Sequence, residues 1–156
     1  MRLSAADAGE VLTLQRAAYV TEAQAHGNLA LPPLVQSLDE LAVELADPEV
    51  VALGLRQRAR LVAAVRVRIN DDTAELGRLV VVPDRQGQGL GSQLLRQAEQ
   101  QLPERVTLVR LFAGEHSSAN QRLYEGHGYT EDHRTSAGQY HLIHMTKILR
   151  RRGGVS

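Results

Sequence analysis

The spacing of apolar positions changes along the chain. Between residues 5 and 25, Val11, Leu12, Leu14, Ala18 and Tyr19 recur at helical intervals in an alanine-rich background, predicting a first helix. Gly27-Asn28 punctuates it. Leu31-Pro32-Pro33-Leu34 reads as a loop, since adjacent prolines disfavour both helix and central strand. Ser37, with Glu40 three residues on, forms a capping box that opens a second helix carrying Leu38, Leu41, Val43 and Leu45. Asp47-Pro48 closes it. At Val50 the period shifts to two. Val50–Leu55 and Leu61–Ile69 read as strands joined by a hairpin loop at Gln57–Arg60. In the second, Leu61, Ala63, Val65, Val67 and Ile69 share one parity, and Arg66 and Arg68 the other. After the Asn70-Asp71-Asp72 turn, Thr73–Val82 is a third strand, and its continuous apolar end suggests burial on both faces. Leu90, Leu94, Leu95, Ala98 and Leu102 predict a helix that Pro103 stops. Val106–Phe112 is another strand. Ser118–His127 is a short helix with a Ser118/Gln121 capping box and Gly128 as its C-terminal cap. Tyr129–Thr135 and Gln139–Ile148 form a last hairpin around Ser136-Ala137-Gly138. The order α, α, β, β, β, α, β, α, β, β mixes hairpins with crossovers. It predicts an α/β fold with a mixed central sheet in one domain over residues 1–149, and a flexible basic tail over 150–156.

Composition narrows the function classes. A chain of 156 residues matches one domain. Without cysteine there is no disulfide framework, thiolate metal site or cysteine nucleophile. The 18 basic and 18 acidic residues cancel, and aromatics are few, which argues against a nucleic-acid partner. No apolar run approaches the ~20 residues of a membrane span. Residues 1–25 carry Asp7, Glu10 and Glu22 and no apolar signal core, so a cytoplasmic location is expected. His116, His127, His133, His141 and His144 form no metal-binding motif, and no metal is expected.

The segment Val82-Pro83-Asp84-Arg85-Gln86-Gly87-Gln88-Gly89-Leu90-Gly91-Ser92 carries the candidate chemistry. It joins an apolar strand to an amphipathic helix. Its glycines let the backbone turn tightly and approach a ligand. The free N–H groups at the helix start, with the positive end of the helix dipole, suit a pyrophosphate. The spacing is not that of a dinucleotide fingerprint. No lysine follows the last glycine, so the phosphate loop of nucleotide triphosphatases is excluded.

Gln86-x-x-Gly89-x-Gly91 resembles the Q/R-x-x-G-x-G/A signature of the GNAT superfamily of N-acetyltransferases. Ser117-Ser118-Ala119-Asn120-Gln121-Arg122-Leu123-Tyr124-Glu125-Gly126-His127-Gly128-Tyr129 resembles that family's late helix. The resemblance covers residues 50–148; residues 1–49 match in being two helices, which in the family help to form the acceptor site. It implies transfer of an acetyl group from acetyl-coenzyme A to a primary amine, of a small molecule or a protein, by direct attack. It further implies that the backbone of Leu79, Val80 and Val81 holds the pantetheine arm. The backbone of Arg85, Gln86, Gly87, Gln88, Gly89, Leu90, Gly91 and Ser92 would hold the pyrophosphate, and Asn120 would contact the coenzyme in place of Ser117. Tyr124 would be the general acid, and Glu75, on the strand before the glycine loop, the candidate base. Tyr19, Glu22 and His26 lie near the expected acceptor loop, where a structural role is the simpler reading. An acyl-coenzyme A sensor without catalysis would need the glycines but neither Tyr124 nor a base. The final hairpin offers edge strands that could pair in a homodimer.

Overall fold

The structure, a computed structural model, describes residues 1–149; the expected basic tail lies outside the described residues. A two-residue strand, β1 (Arg2–Leu3), precedes a 3₁₀ turn (Ala5–Asp7) in which Ser4 and Asp7 form a capping box. Helix α1 (Ala8–His26) follows and ends at Gly27, whose φ of 62° makes a left-handed cap at the point where the sequence punctuates the helix. α2 (Pro32–Val35) is one turn, and α3 (Leu38–Ala46) opens on the expected Ser37/Glu40 box. Then come β2 (Val50–Gln57), β3 (Arg60–Asn70), β4 (Thr73–Val81), α4 (Leu90–Gln100), β5 (Leu108–Gly114), α5 (Ser118–Gly126), β6 (Thr130–Ser136) and β7 (His141–Ile148). The seven strands form one sheet in the order β1-β2-β3-β4-β5-β7-β6, antiparallel except for the β4–β5 pair.

The alternation of the inner strands supplies two cores. On one face Val65, Val67, Leu76, Val109, Leu111 and Met145 pack against Leu94, Leu95 and Ala98 of α4 and Tyr124 of α5. On the other, Ala52, Val62, Ala64, Val80 and Val82 pack against Val11, Leu12 and Leu14 of α1 and Leu41 and Leu45 of α3. At ~25 cal/mol per Å² of apolar surface, burial of each such Leu or Val contributes roughly 1.5–3 kcal/mol before entropy is charged. Helices α1–α3 cover β1 to β4 but leave the same face of β5 and β7 open, so Phe112 is half exposed there.

Four local readings need correction. Pro32 and Pro33 do not break a helix; they occupy its first two positions, where a missing N–H costs nothing. The β2–β3 hairpin turns on Arg58 and Ala59 alone, both at positive φ, so its strands run closer to the turn than expected. The Ser118/Gln121 box does not form. Ser117 precedes the helix without a side-chain cap, and the Gln121 amide instead donates to the carbonyls of Gly114 and Glu115, both at 3.0 Å. The apolar end of β4 is buried on one face only: Val80 and Val82 are buried, whereas Leu79 and Val81 are half-buried.

That last correction has a topological cause. β4 and β5 pair only at Thr73↔Leu108, Ala74↔Val109 and Glu75↔Arg110. β4 continues along β3 and β5 along β7, but the two part company. The β3–β4 ladder also slips: Ala64 pairs with Val80 and Arg66 with Gly77, so Arg78 and Leu79 together face Val65. Arg78 sits at φ 55°, a residue in the left-handed region at a β-bulge. Bulge and splay open a gap in the middle of the sheet.

Candidate active site

A cavity of about 420 Å³ runs from the gap to the start of α4. Leu79, Val80 and Val81 form one wall, and Arg85, Gln86, Gly87, Gly89, Leu90, Gly91 and Ser92 form its end. Gln88 alone of the expected loop residues does not line it. Gly87 (φ 81°) and Gly89 (φ 79°) are both in the left-handed region, and a Cβ at either would project into open space. Gly89 caps α4 without a side-chain hydrogen bond. The first turn of α4 therefore keeps donors directed at the cavity, a fit for a pyrophosphate. The Gln86 amide donates to the Val81 carbonyl at 3.2 Å, tying loop to strand. Arg85 is less available: its Nε donates to Gln57 at 2.9 Å and its guanidinium pairs with Asp84 at 3.0 Å.

A second cavity, about 450 Å³, fills the gap itself and shares Tyr19, Glu22, Leu79 and Asn120 with the first. Tyr124 of α5 reaches it with a buried ring set edge-on to Tyr129 at 6.0 Å. Its hydroxyl has no hydrogen-bond partner among the described residues. Burial, then the neighbouring Tyr19 and Glu22, hold its pKa above the ordinary phenol value. It is therefore protonated across the working pH range. The outer walls are the α1–α2 segment (Leu31, Pro32, Pro33) and the β6–β7 loop (Ala137, Tyr140). Asn28 Nδ2 donates to the Tyr140 hydroxyl at 3.2 Å, joining these walls.

The carboxylate that reaches both cavities is Glu22, not Glu75. Ser117 Oγ donates to Glu22 Oε2, and Asn120 Nδ2 donates to Oε1 at 3.3 Å. Asn120 lines both cavities, and its amide is engaged by Glu22. His26 is buried beside it: Nδ1 lies 2.9 Å from the Glu22 carbonyl, and Nε2 accepts the His116 N–H at 3.1 Å. With both ring nitrogens against backbone groups, the ring braces the end of α1 against the segment after β5. Glu75 lines a third cavity, about 530 Å³, on the open face of β5 and β7, which lacks Tyr124. Sequence reasoning noticed Glu22 but had no signal to promote it, because its partners come from residues almost a hundred positions away.

The model of the acetyltransferase (GNAT) family matches residues 15–129, about three quarters of the chain. The chain belongs to that family. This acetyltransferase also resembles solved structures in fold. It superimposes on the ribosomal-protein-S18-alanine N-acetyltransferase of Escherichia coli with TM-score 0.81 at 23% identity, over 100% of this chain and 96% of that one. The PaiA N-acetyltransferase of Thermoplasma acidophilum, solved with coenzyme A, matches with TM-score 0.75 at 18% identity, over 92% and 95%. The ribosomal-protein-alanine N-acetyltransferase of Brucella melitensis matches with TM-score 0.72 at 18% identity, over 96% and 98%. No curated protein matches the acetyltransferase in sequence. Among the described residues no group of histidines and carboxylates could hold a metal ion, and no helix is long and apolar enough to cross a membrane.

Proposed function

We propose that this enzyme is an N-acetyltransferase that uses acetyl-coenzyme A and acts on a primary amine admitted through the gap between β4 and β5. The observation that carries the reading is the continuity of the two cavities through Tyr19, Glu22, Leu79 and Asn120: one ends in an anion cradle, the other holds an uncommitted phenol. Bound there, the thioester supplies the acyl group. The residues do the rest. Donors at the start of α4 fix the phosphates, and the β5-facing edge of β4 at Leu79–Val81 aligns the arm by backbone hydrogen bonds. Glu22 takes the proton the amine sheds, directly or through one water. Tyr124 donates its hydroxyl to the departing sulfur. A thiol is more acidic than this phenol, so Tyr124 stabilises the developing thiolate by hydrogen bonding rather than by complete proton transfer. A cytoplasmic enzyme, in keeping with the sequence reading, would meet acetyl-coenzyme A there.

The test is an amine panel with acetyl-coenzyme A, following thiol release. Thiol release dependent on both amine and enzyme is expected. Tight coenzyme binding with no amine turned over would favour the sensor reading instead.

A further inference from the structure

The third cavity is not isolated. It shares Leu76, Gly77, Arg78 and Phe112 with the gap that Tyr124 lines. It therefore continues the path on the side away from the anion cradle. Four arginines stand on it, and they differ in what holds them. Arg66 Nε lies 2.8 Å from Glu44, and its guanidinium also donates to Gln15 at 3.0 Å. Arg68 pairs with Asp47 at 3.0 Å and Glu49 at 3.6 Å. Arg78 and Arg110 have no carboxylate within ion-pair distance among the described residues.

Arg78 is the more telling of the two. It occupies the left-handed bulge position, where a non-glycine residue is strained. Its Nε is buried with no hydrogen-bond partner. A buried donor left unsatisfied is costly, and a charged one more so. Its guanidinium reaches the Tyr19 hydroxyl, which, like neighbouring Arg66, offers no negative charge at neutral pH. The acids on this cavity are Glu44, Asp132 and Glu75. Glu44 is taken by Arg66, and Asp132 by His133 at 2.7 Å. Glu75 stands between Arg68 and Arg110 in register but reaches neither. His133 and His144 stack at 4.3 Å on the far rim, and Phe112 gives an apolar floor between the two cavities.

From this arrangement we propose that the acceptor amine carries a carboxylate, which Arg78 binds at the junction of the two cavities with Arg110 as the second cation. A planar guanidinium suits a carboxylate bidentately, and an acidic group there would satisfy the orphaned Nε donor. The proposal rests on the acetyltransferase reading above and names its substrate class.

The test uses matched tripeptide amides, Ala-Asp-Ala and Ala-Ala-Asp against their Asn counterparts, with acetyl-coenzyme A. At least one Asp peptide is expected to exceed its Asn partner roughly 10-fold or more in kcat/KM, the scale of a charge-assisted hydrogen bond. Arg78→Gln is expected to erase that preference by raising KM for the Asp peptide far more than for the Asn peptide. Arg110→Gln is expected to reduce it, and Glu75→Gln to widen it. Equal kcat/KM across both pairs, or a preference untouched by Arg78→Gln, overturns the proposal while leaving the acetyltransferase reading intact. If no peptide is acetylated, calorimetric titration of the same peptides decides it: an Asp preference lost in Arg78→Gln supports the proposal, and none overturns it. Absence of thiol release with every amine would overturn the activity, whichever way binding falls.

Discussion

At the scale of single residues, Tyr124 carries the sharpest test. Its hydroxyl makes no hydrogen bond within the described protein, so Tyr124→Phe keeps the ring and its packing on Tyr129. We expect kcat to fall ~10²-fold or more with coenzyme affinity nearly unchanged, the pattern of an interaction made in the transition state. Equal turnover would leave Tyr124 a packing residue. The two carboxylates separate just as cleanly. Glu22→Gln is expected to lower the rate and flatten the acidic limb of the kcat/KM profile, whereas Glu75→Gln keeps that limb. The opposite result would return the base to Glu75. Glu75 entered as the candidate base through the family resemblance, from its place on the strand before the glycine loop. The bulge at Arg78 inserts one residue and turns Glu75 to the other face. No residue type announces a bulge, so this part of the site was illegible.

At the scale of elements, the glycine loop was legible, and so was α1 as a helix, but not the contact that seats its end. The loop reads from local chemistry alone: a strand, a proline, spaced glycines and a helix. Gly89→Val is expected to keep the fold at a cost of about 1–2 kcal/mol of backbone strain, because its Cβ meets nothing in the protein. Coenzyme binding should be lost in calorimetry, since the side chain would stand where the phosphates approach; retained affinity would sink the cradle. The end of α1, by contrast, is positioned by a contact no periodicity reveals. A Cβ at Gly114 of β5 would collide with His26 Nε2. Gly114→Ala is therefore expected to lower stability by roughly 1–3 kcal/mol, read as a drop in Tm. His26→Ala should recover part of that loss in the double variant, and purely additive effects would argue against the contact. The helices and most strands were readable because their apolar period is strong. The single turn at Pro32 was not, because proline forbids a helix interior yet favours its first turn.

At the scale of the whole molecule, the two cores and their ion pairs set the range of pH in which the fold holds. Several surface carboxylates sit below their ordinary pKa: Glu10 through its hydrogen bond from Arg56, Asp84 through Arg60, and Asp47 through the Glu49 amide and Arg68. A depressed native pKa contributes stability present above the unfolded value and lost as pH falls through the native one, so denaturant midpoints should decline below about pH 4. Tyr124 and Tyr129 shift the other way, chiefly by burial, with Glu99 adding to the effect on Tyr129. A raised native pKa gives stability that is complete below the unfolded value and lost above it. Midpoints should therefore also fall above about pH 10, and a flat alkaline limb would contradict the burial of these phenols. The splay of the sheet has a different consequence. β4 keeps a ladder partner on its β3 side except at the Arg78–Leu79 bulge, but past Glu75 its other edge has no strand beside it among the described residues. The arm of the coenzyme would lie along that edge as a strand made of something other than protein. Deuterium exchange is the natural observable: amides of Leu79–Val81 that face the gap should exchange quickly in the free enzyme and slow sharply when the coenzyme is added, while those facing β3 are already slow. The ligand would thus act as the eighth strand of the sheet.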